Sequence, residues 1–454
     1  MSHDGFFDLS IRTILAGYKT GAITPTDVAQ ICFDQIEKYD PQYLAMECFD
    51  PQKLFAAAAC TYTHLASGKA IRALEGIPIG VKDIFNTTDF PTQMGSPIWA
   101  NFTPGNDARV VFHLKRAGGI IPGKTVTAEF AVHTLRKTLN PHDIRRTPGT
   151  SSSGSAVAIA TGMFPVALGT QTAGSIVRPA SFCGVFGCKP SFGLIPRTGM
   201  LKTTDSLDTV GFFVLHLDDM ETVFDVLRVH GPDYPLSHAA LSDAERQSKP
   251  PDRPWRVALV STYTWQEAPQ YAQAALCTWA DRIAGDADIA LVREDLPGGM
   301  ETAHKIHATI YDKTLAYYFR EEFKNKQLVS PIMHELIESG QRIAPRQYQQ
   351  ALMEQEKLAR LMDTFFADYD ALISLSTAGE APLRDDRERR DPSLIWTMTH
   401  LPVISAPVFT SPTGRPFGVQ IAARRYNDRL LFKFANYLGA QGYIPRTANP
   451  RIQR

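Results

Sequence analysis

Thr147–Ser155 reads TPGTSSSGS and Gly169–Ala180 reads GTQTAGSIVRPA, and these two clusters of small residues are the most informative part of the sequence. They flank a run of small apolar residues, Ala156–Ala160, that is typical of a helix. Small residues allow backbone segments to approach closely and leave N–H groups free to point inward. A flexible linker is disfavoured, because glycine- and serine-rich linkers do not alternate with apolar runs such as Phe182–Phe186.

Short apolar runs on either side of these clusters alternate with helical patterns. Gly76–Asp83 is one such run; it contains Lys82 near its end and is typical of a buried strand. Residues 304–366 look mostly helical. Later runs predict further strands: Val257–Val260, Ala371–Ser374, Val403–Pro407 and Phe417–Ile421. This rhythm predicts an α/β architecture with a buried sheet.

Two segments interrupt the rhythm. Residues 235–254 are polar and rich in proline, so we expect a loop or an insertion there. Leu383–Pro392 is a dense run of mixed charge, which predicts a solvated loop.

The composition is that of a globular protein: the 454 residues are 44% hydrophobic and 21% charged, which excludes a disordered or fibrous chain. Basic and acidic residues each number 47, so the formal net charge is +0. Nucleic-acid-binding proteins usually carry a basic excess that neutralises phosphates, so we expect no nucleic-acid partner. The balance favours a small-molecule or neutral partner.

The cysteines and the N-terminal segment indicate the cellular compartment in which we expect the protein. Six cysteines in so long a chain predict no disulfide framework, and Cys183 and Cys188 lack the second pair that a zinc site needs. Asp4 and Asp8 stand where a secretory signal would have basic residues, and no run approaches the roughly 18 apolar residues of a membrane helix. We therefore expect a cytoplasmic protein without a membrane partner.

Gly118–Thr125 (GGIIPGKT) matches the phosphate-binding pattern G-x-x-x-x-G-K-[ST]. Such a loop follows a strand, whereas Phe112–Ala117 reads as a helix. Ile120 and Ile121 add β-branched bulk, and Pro122 removes an N–H donor. We interpret the segment as a helix, a glycine turn and a short strand, without nucleotide binding.

The serines of the two clusters are candidate nucleophiles, and a serine nucleophile needs a base. No G-x-S-x-G pattern or histidine occurs in either cluster. His304 and His307 share a helical face, but without an HExxH context a surface or packing role is favoured. Lys82 is the alternative base, because desolvation lowers the pKa of a lysine and favours the neutral amine. A surface lysine is the competing interpretation.

The blocks together resemble the amidase signature family, whose serine hydrolases use a Ser–cis-Ser–Lys triad. The resemblance covers nearly the whole chain and is strongest from about residue 70 to 215. The matching blocks are Gly76–Asp83, Gly123–Ala131, Gly149–Ser155, Gly169–Ala180, Cys183–Pro190, Ser206–Gly211 and Pro416–Gln420.

The resemblance implies a single α/β domain over residues 1–454, with a mixed, twisted central β-sheet covered by helices on both faces. We expect it to comprise an N-terminal helical layer, a signature core with the catalytic residues, a variable region, and C-terminal helices and strands that complete the core. These parts span residues 1–70, 71–215, 235–345 and 346–454 respectively.

The resemblance also implies the reaction and its residues. Lys82 matches the family's lysine, Ser151 its cis-serine and Ser175 its nucleophile, with the cis peptide at Thr150–Ser151. The expected reaction is hydrolysis of a carboxylic amide to a carboxylate plus ammonia or an amine, through an acyl-enzyme and without a metal or cofactor. The implied oxyanion-hole donors are the N–H groups of Thr172, Ala173, Gly174 and Ser175. Ala173 and Thr150 stand where the family often has glycine, but neither change removes a catalytic group.

The substrate is less defined. Arg178 follows Ser175 by three residues, an arrangement in which the arginine binds a substrate carboxylate in some relatives, such as malonamidase. Arg178 is therefore a candidate ligand of a small carboxylate-bearing amide, and pairing with a local carboxylate is the alternative. Aromatic residues of the variable region are candidates for the acyl pocket, with core packing as the alternative: Tyr311, Tyr317, Tyr318 and Phe319.

The family also includes the A-type subunit of tRNA-dependent amidotransferases, a glutaminase that works with partner chains, and this is the alternative function. An inactive scaffold is disfavoured because Lys82, Ser151 and Ser175 are all present. The expected partner is a small-molecule amide, and a homodimer is a candidate assembly.

Overall fold

The computed structural model describes residues 5–386 and 389–448. Its helices are α1 (Ile11–Thr20), α2 (Pro25–Tyr43), α3 (Pro51–Ala66), α4 (Arg109–Arg116), α5 (Ser153–Ala160), α6 (Val177–Cys183), α7 (Met220–Leu227), α8 (Pro235–Ser242), α9 (Gln270–Ala284), α10 (Ala303–Tyr318), α11 (Pro331–Arg342), α12 (Pro345–Phe365), α13 (Leu394–Met398) and α14 (Asp428–Ala440). Its strands are β1 (Met46–Phe49), β2 (Ile79–Lys82), β3 (Gly123–Thr125), β4 (Val166–Gln171), β5 (Phe186–Lys189), β6 (Thr209–Val214), β7 (Trp255–Val260), β8 (Ile289–Glu294), β9 (Ala371–Leu375), β10 (Val403–Thr410) and β11 (Pro416–Ala422).

These strands form one mixed sheet in the order β1-β3-β2-β4-β6-β5-β10-β11-β9-β7-β8. Strand β2 is parallel to β3 and β4, and β7 is parallel to β8 and β9, whereas the other neighbouring pairs are antiparallel. Helices flank the sheet: α5 packs against β4, and α6 packs against β10 and β11. The predicted α/β fold with a mixed central sheet is confirmed.

The centre of the sheet is completely buried. Every residue of β2, β4, β5 and β6 is buried, as expected of strands that are covered on both faces. Because β2 ends with a lysine, this burial carries the amine of Lys82 into the protein interior.

Parallel pairing of β2 and β4 brings Lys82 close to the segment that carries Ser175. Val81 on β2 lies opposite Leu168 on β4, so the carboxyl ends of both strands meet at one edge of the sheet. At that edge Lys82 ends β2, and the turn that carries Ser175 follows β4 and leads into α6. The fold therefore gathers residues that are far apart in the sequence.

Two sequence expectations concern segments outside this centre. Residues 235–254 were expected to form a loop or an insertion, but their first part forms α8, which begins at a proline and buries Ala240 and Leu241. The Gly118–Thr125 segment follows α4 and contains the short strand β3, as predicted. Lys124 on β3 is buried and forms an ion pair with Asp83 at 3.1 Å, so its amine is not presented to a phosphate.

Among the described residues, every helix is too short or too polar to cross a lipid bilayer.

Candidate active site

Lys82 lies at the end of β2 with 0% of its surface exposed, so it is not a surface lysine. Its Nζ lies 2.8 Å from Ser151 Oγ, 3.0 Å from Ser152 Oγ and 2.9 Å from Thr170 Oγ1. Within the described residues, Lys82 forms no ion pair with a carboxylate. The polar neighbours of its amine are therefore three hydroxyl groups.

Burial holds the pKa of Lys82 well below its ordinary range, because an ammonium group loses its hydration inside the protein. The negative charge of Asp208 acts in the opposite direction and is the smaller effect. The Asp208 carboxylate is itself bound by the backbone N–H groups of Thr203 and Thr204, at 2.8 and 3.0 Å. Lys82 is thus placed to be a neutral amine.

The three hydroxyl contacts of Lys82 also accommodate a neutral amine. Ser152 Oγ donates to the Thr170 carbonyl at 3.2 Å, so its single proton is used and it accepts from Lys82. A neutral amine has two N–H donors and one lone pair. If Lys82 donates to Ser152 and Thr170, its lone pair faces the hydroxyl of Ser151. This arrangement can remove a proton from Ser151.

The peptide bond between Thr150 and Ser151 is cis, at the position that the resemblance implied. Gly149 precedes it with φ +86°, and a Cβ at this position would lie 2.8 Å from the Pro179 Cα of α6. The Ser151 carbonyl accepts a hydrogen bond from the Ala128 N–H at 3.1 Å. These close contacts fix the backbone on both sides of the Ser151 side chain.

Ser175 lies in the turn between β4 and α6, residues 172–176, which we call the nucleophile turn; 5% of Ser175 is exposed. Ile176 and Val177 donate their N–H groups to Gln171 Oε1 at 2.9 and 3.0 Å. By contrast, the N–H groups of residues 172–175 and the Ser175 hydroxyl donate to no group in the described part of the chain. A row of unused donors of this kind can stabilise an oxyanion.

Two carbonyl groups of the nucleophile turn, those of Thr172 and Ala173, are bound from outside the signature core. His307 Nε2 donates to the Thr172 carbonyl at 2.9 Å, and Thr397 Oγ1 donates to the Ala173 carbonyl at 2.7 Å. In a trans peptide the C=O and the following N–H point in opposite directions. These two bonds therefore direct the N–H groups of Ala173 and Gly174 away from α10 and α13.

The two histidines on α10, for which a surface or packing role was favoured, both lie within hydrogen-bond distance of a backbone carbonyl group. Burial lowers the pKa of His307 to about 4, so its ring is neutral at ordinary pH and donates through Nε2. His304 Nε2 lies 3.2 Å from the carbonyl oxygen of Asp391. The described residues contain no group of three or more His, Cys, Asp or Glu side chains arranged to hold a metal.

Arg178, the candidate substrate ligand, is buried on α6. Its Nη1 donates to Asp391 Oδ2 at 3.0 Å, and its Nη2 donates to the Thr150 carbonyl at 2.7 Å. This is the alternative arrangement, pairing with a carboxylate of the protein; binding of a substrate carboxylate stays a prediction. Asp391 belongs to the segment expected to be a solvated loop, which is wrong for this residue because its carboxylate compensates a buried cation. Residues 387–388 of that segment lie outside the described residues.

A cavity of about 770 Å³ lies against the nucleophile turn at Ala173. Arg178, His307 and Tyr311 line it, and Arg178 and Asp391 also line a second cavity of about 600 Å³. Burial raises the pKa of the Tyr311 hydroxyl, which is therefore neutral. Ala173 is the one residue of the nucleophile turn that lines the first cavity.

Only one of the four aromatic residues proposed for the acyl pocket lines this cavity. Tyr311 does so, whereas Phe319 packs against Phe130 with ring centroids 4.7 Å apart. Tyr317 is 61% exposed, and the Tyr318 hydroxyl lies 2.9 Å from the carboxylate of Asp205. Helical spacing alone did not distinguish cavity, core and surface positions.

Sequence reasoning missed two residues that support the turn, Asp391 and Thr397, and it gave the third, His307, a surface or packing role. His307 and Thr397 lie on helices without a polar motif, and Asp391 lies in a run of charges. The proline after Asp391, the Ser393 two residues later and the following apolar run were a weak signal for a helix start there.

Comparison with known proteins identifies relatives of the chain. A family model described as Amidase matches residues 27–432. AmiD of Mycobacterium tuberculosis is 28% identical over 467 residues, which cover 95% of this chain and 94% of that protein. The A-type subunit of a glutamyl-tRNA(Gln) amidotransferase from a Picosynechococcus species is 29% identical over 481 residues, covering 94% and 96%.

Solved structures resemble the fold over nearly its full length. One such structure, described as a vestigial protein complex that reveals the evolutionary origins of an s-triazine catabolic enzyme, superposes with a TM-score of 0.85 at 26% identity. The match covers 98% of this chain and 100% of that one.

Proposed function

The chain belongs to the amidase family, and on this premise we propose that it hydrolyses a carboxylic amide, acting on linear amide C–N bonds, with Lys82, Ser151 and Ser175 as its catalytic triad. The products would be a carboxylate and ammonia or an amine. The observation that carries the proposal is the fully buried Lys82, whose Nζ lies 2.8 Å from the hydroxyl of Ser151.

The proposed mechanism begins with a proton relay. Neutral Lys82 takes the proton of Ser151, Ser151 takes the proton of Ser175, and Ser175 Oγ attacks the amide carbonyl carbon. Ser175 is not hydrogen bonded to Ser151 in the described structure, so we expect this contact to form when a substrate is bound, as catalytic contacts often do.

The tetrahedral intermediate would place its oxygen against the free N–H groups of residues 172–175. One such donor contributes about 3–4 kcal/mol to transition-state stabilisation. The relay then returns the proton to the departing nitrogen as the C–N bond breaks, which leaves an acyl ester on Ser175. A water molecule, deprotonated by the same relay, attacks the ester and releases the carboxylate.

The experiment measures ammonia release from a panel of small amides, half of which carry a carboxylate. Ser175→Ala serves as the blank, and labelling by a fluorophosphonate probe reports the nucleophile independently of the substrate. We expect release and labelling by the wild type only. Release that persists in Ser175→Ala, or a label on another residue, would overturn the assignment of the nucleophile.

The alternative function, a glutaminase component of an amidotransferase complex, is favoured by one observation: a relative bearing that name aligns over more than nine-tenths of both chains. It predicts that glutamine is hydrolysed efficiently only with partner chains present. Purification from the native organism, followed by glutamine and small-amide assays, distinguishes the two functions. Full activity of the isolated chain on small amides would exclude the role within a complex.

A further inference from the structure

We propose that Arg178 and Asp391 are a positioning pair that holds the two parts of the catalytic centre together. One part is the Thr150–Ser151 peptide, and the other is the nucleophile turn. The inference rests on the proposed function and assigns Arg178 a role different from that of a substrate ligand.

Arg178 contacts the first part, the Thr150–Ser151 peptide. Its Nη2 donates to the carbonyl oxygen of Thr150 at 2.7 Å and lies 3.0 Å from Thr150 Oγ1. Thr150 directly precedes Ser151, and Arg178 lies on the helix that directly follows Ser175. The guanidinium therefore connects the residue beside the proposed proton relay to the helix behind the nucleophile.

Asp391 contacts the second part, the nucleophile turn. A Cβ at position 174 would lie 1.5 Å from Asp391 Oδ2, so the carboxylate packs directly on the backbone of Gly174. Gly174 precedes the proposed nucleophile, and its N–H is one of the free donors. This contact explains why position 174 requires a glycine, whereas position 173 accommodates an alanine.

Asp391 is in turn held by its own surroundings. Its Oδ1 accepts from the Ser393 N–H at 3.0 Å and from Ser393 Oγ at 2.7 Å. Its carbonyl oxygen lies 3.2 Å from His304 Nε2 on α10. Helix α13, which starts just after Ser393, also provides the hydrogen bond from Thr397 to Ala173. The carboxylate is therefore fixed in place rather than free to turn toward a ligand.

The same contacts disfavour substrate recognition by Arg178. Both Nη atoms already donate to the protein, to Asp391 and to Thr150. A substrate carboxylate would lie beside the carboxylate of Asp391, and like charges at such a distance repel. The positioning role therefore predicts equal losses on neutral and carboxylate-bearing amides when the pair is altered.

The test compares Asp391→Asn and Arg178→Lys with the wild type on propionamide and on succinamate. Misplacement of reacting groups by about 1 Å can cost about 10²-fold in rate. We expect kcat to fall about 10²-fold on both amides, with KM changed by less than about threefold. A loss confined to KM for succinamate would overturn the proposal and make Arg178 a substrate ligand.

A matched control is the ion pair of Arg253 and Asp370, whose atoms lie 2.6 and 2.7 Å apart. Asp370 directly precedes β9, whereas Thr377, which lines the second cavity, follows the other end of that strand. Arg253→Lys and Asp370→Asn should lower stability without changing kcat. Equal kcat losses in the control pair would show a general stability effect and overturn the proposal.

Two further measurements keep the test decisive. The double variant Arg178→Met with Asp391→Leu removes both charges of the pair, so neither is left buried without the other. It should fold and still lose about 10²-fold in kcat, and wild-type activity would overturn the proposal. Hydrogen exchange of the Ile176 to Arg178 amides should accelerate in Asp391→Asn but not in Asp370→Asn. This readout needs no catalysis, so it judges the pair even if the wild type hydrolyses no amide and the proposed function fails.

Discussion

Residues 149–178 and residues 391–397 support the same turn in different ways. The first segment contains the proposed nucleophile, its serine partner and the free N–H donors, within 30 consecutive residues. The second contributes no group to the proposed chemistry. It provides the carboxylate of Asp391 against Gly174 and the hydroxyl of Thr397 against the Ala173 carbonyl, and each of these pairs is more than 200 residues apart in the sequence.

The difference shows that reactive groups are easier to recognise in a sequence than the groups that position them. A nucleophile, its relay and its N–H donors need close spacing along the chain, which produces a dense motif. A positioning group needs only to arrive at the right place in three dimensions. Asp391 can therefore stand in a charged run that resembles a solvated loop.

The largest expected effect concerns the groups that take part in the proposed chemistry. Lys82→Met removes the proposed base, and we expect kcat to fall at least about 10⁴-fold, as when a member of a catalytic triad is lost. Lys189→Met is the matched control: Lys189 is also fully buried, burial lowers its pKa to about 8, and its Nζ donates to the Pro190 and Leu401 carbonyls. The control should lose stability but keep kcat within about threefold. Steady-state kinetics on one amide decides, and similar kcat losses in both variants would contradict a special role for Lys82.

The second effect couples the two segments directly. Gly174→Ala places a methyl group against Asp391, and we expect kcat to fall about 10²-fold. In the Asp391→Ala background the methyl group has room, so the additional loss should be much smaller, with a coupling free energy of about 1–3 kcal/mol. Gly285→Ala, where the nearest atom lies 3.5 Å from the new Cβ, should leave kcat unchanged. Strictly additive losses in the double variant would show that the contact is unimportant.

The third effect is a pH dependence. The neutral form of Lys82 is the proposed base and its pKa is lowered, so activity is present above that pKa and is lost as the pH falls through it, about tenfold per pH unit. Thr170→Val removes a hydroxyl neighbour of Lys82 and should move the acid limb of the kcat/KM profile. Asp391→Asn should lower the whole profile without moving that limb. A limb that moves in Asp391→Asn but not in Thr170→Val would reverse the roles of the two segments.

The smallest effect comes from the hydroxyl of Thr397, which donates to the Ala173 carbonyl and accepts from Gln171 Nε2. Thr397→Val removes both hydrogen bonds, each worth about 1 kcal/mol, so we expect kcat to fall at least about fivefold. Thr399, on the same part of the chain, donates to the Ile395 carbonyl of its own helix at 2.7 Å. Thr399→Val should lower the melting temperature but leave kcat unchanged. The proposal for Thr397 fails if its kcat matches the wild type while the melting temperature falls as in Thr399→Val.

The parts of the structure that could be predicted are those that depend on the pattern of neighbouring residues in the sequence. The α/β class followed from apolar runs alternating with helical patterns, and the buried end of β2 followed from Gly76–Asp83. The expected loop at 235–254 failed where α8 forms, because a proline can start a helix as well as interrupt one. The position of Tyr311 on the cavity wall was one expectation among four similar aromatic residues, and only packing separated them.

The sequence by itself determined the family, the order of strands and helices around the two small-residue clusters, and which lysine and serines are candidates for the chemistry. These properties depend on neighbours along the chain, where spacing and hydrophobic period act directly. The tertiary structure decided that the amine of Lys82 contacts three hydroxyl groups, that Asp391 pairs with Arg178, and that His307 and Thr397 orient the nucleophile turn. Such contacts depend on the pairing of distant strands and the packing of α10 and α13, which no local pattern encodes.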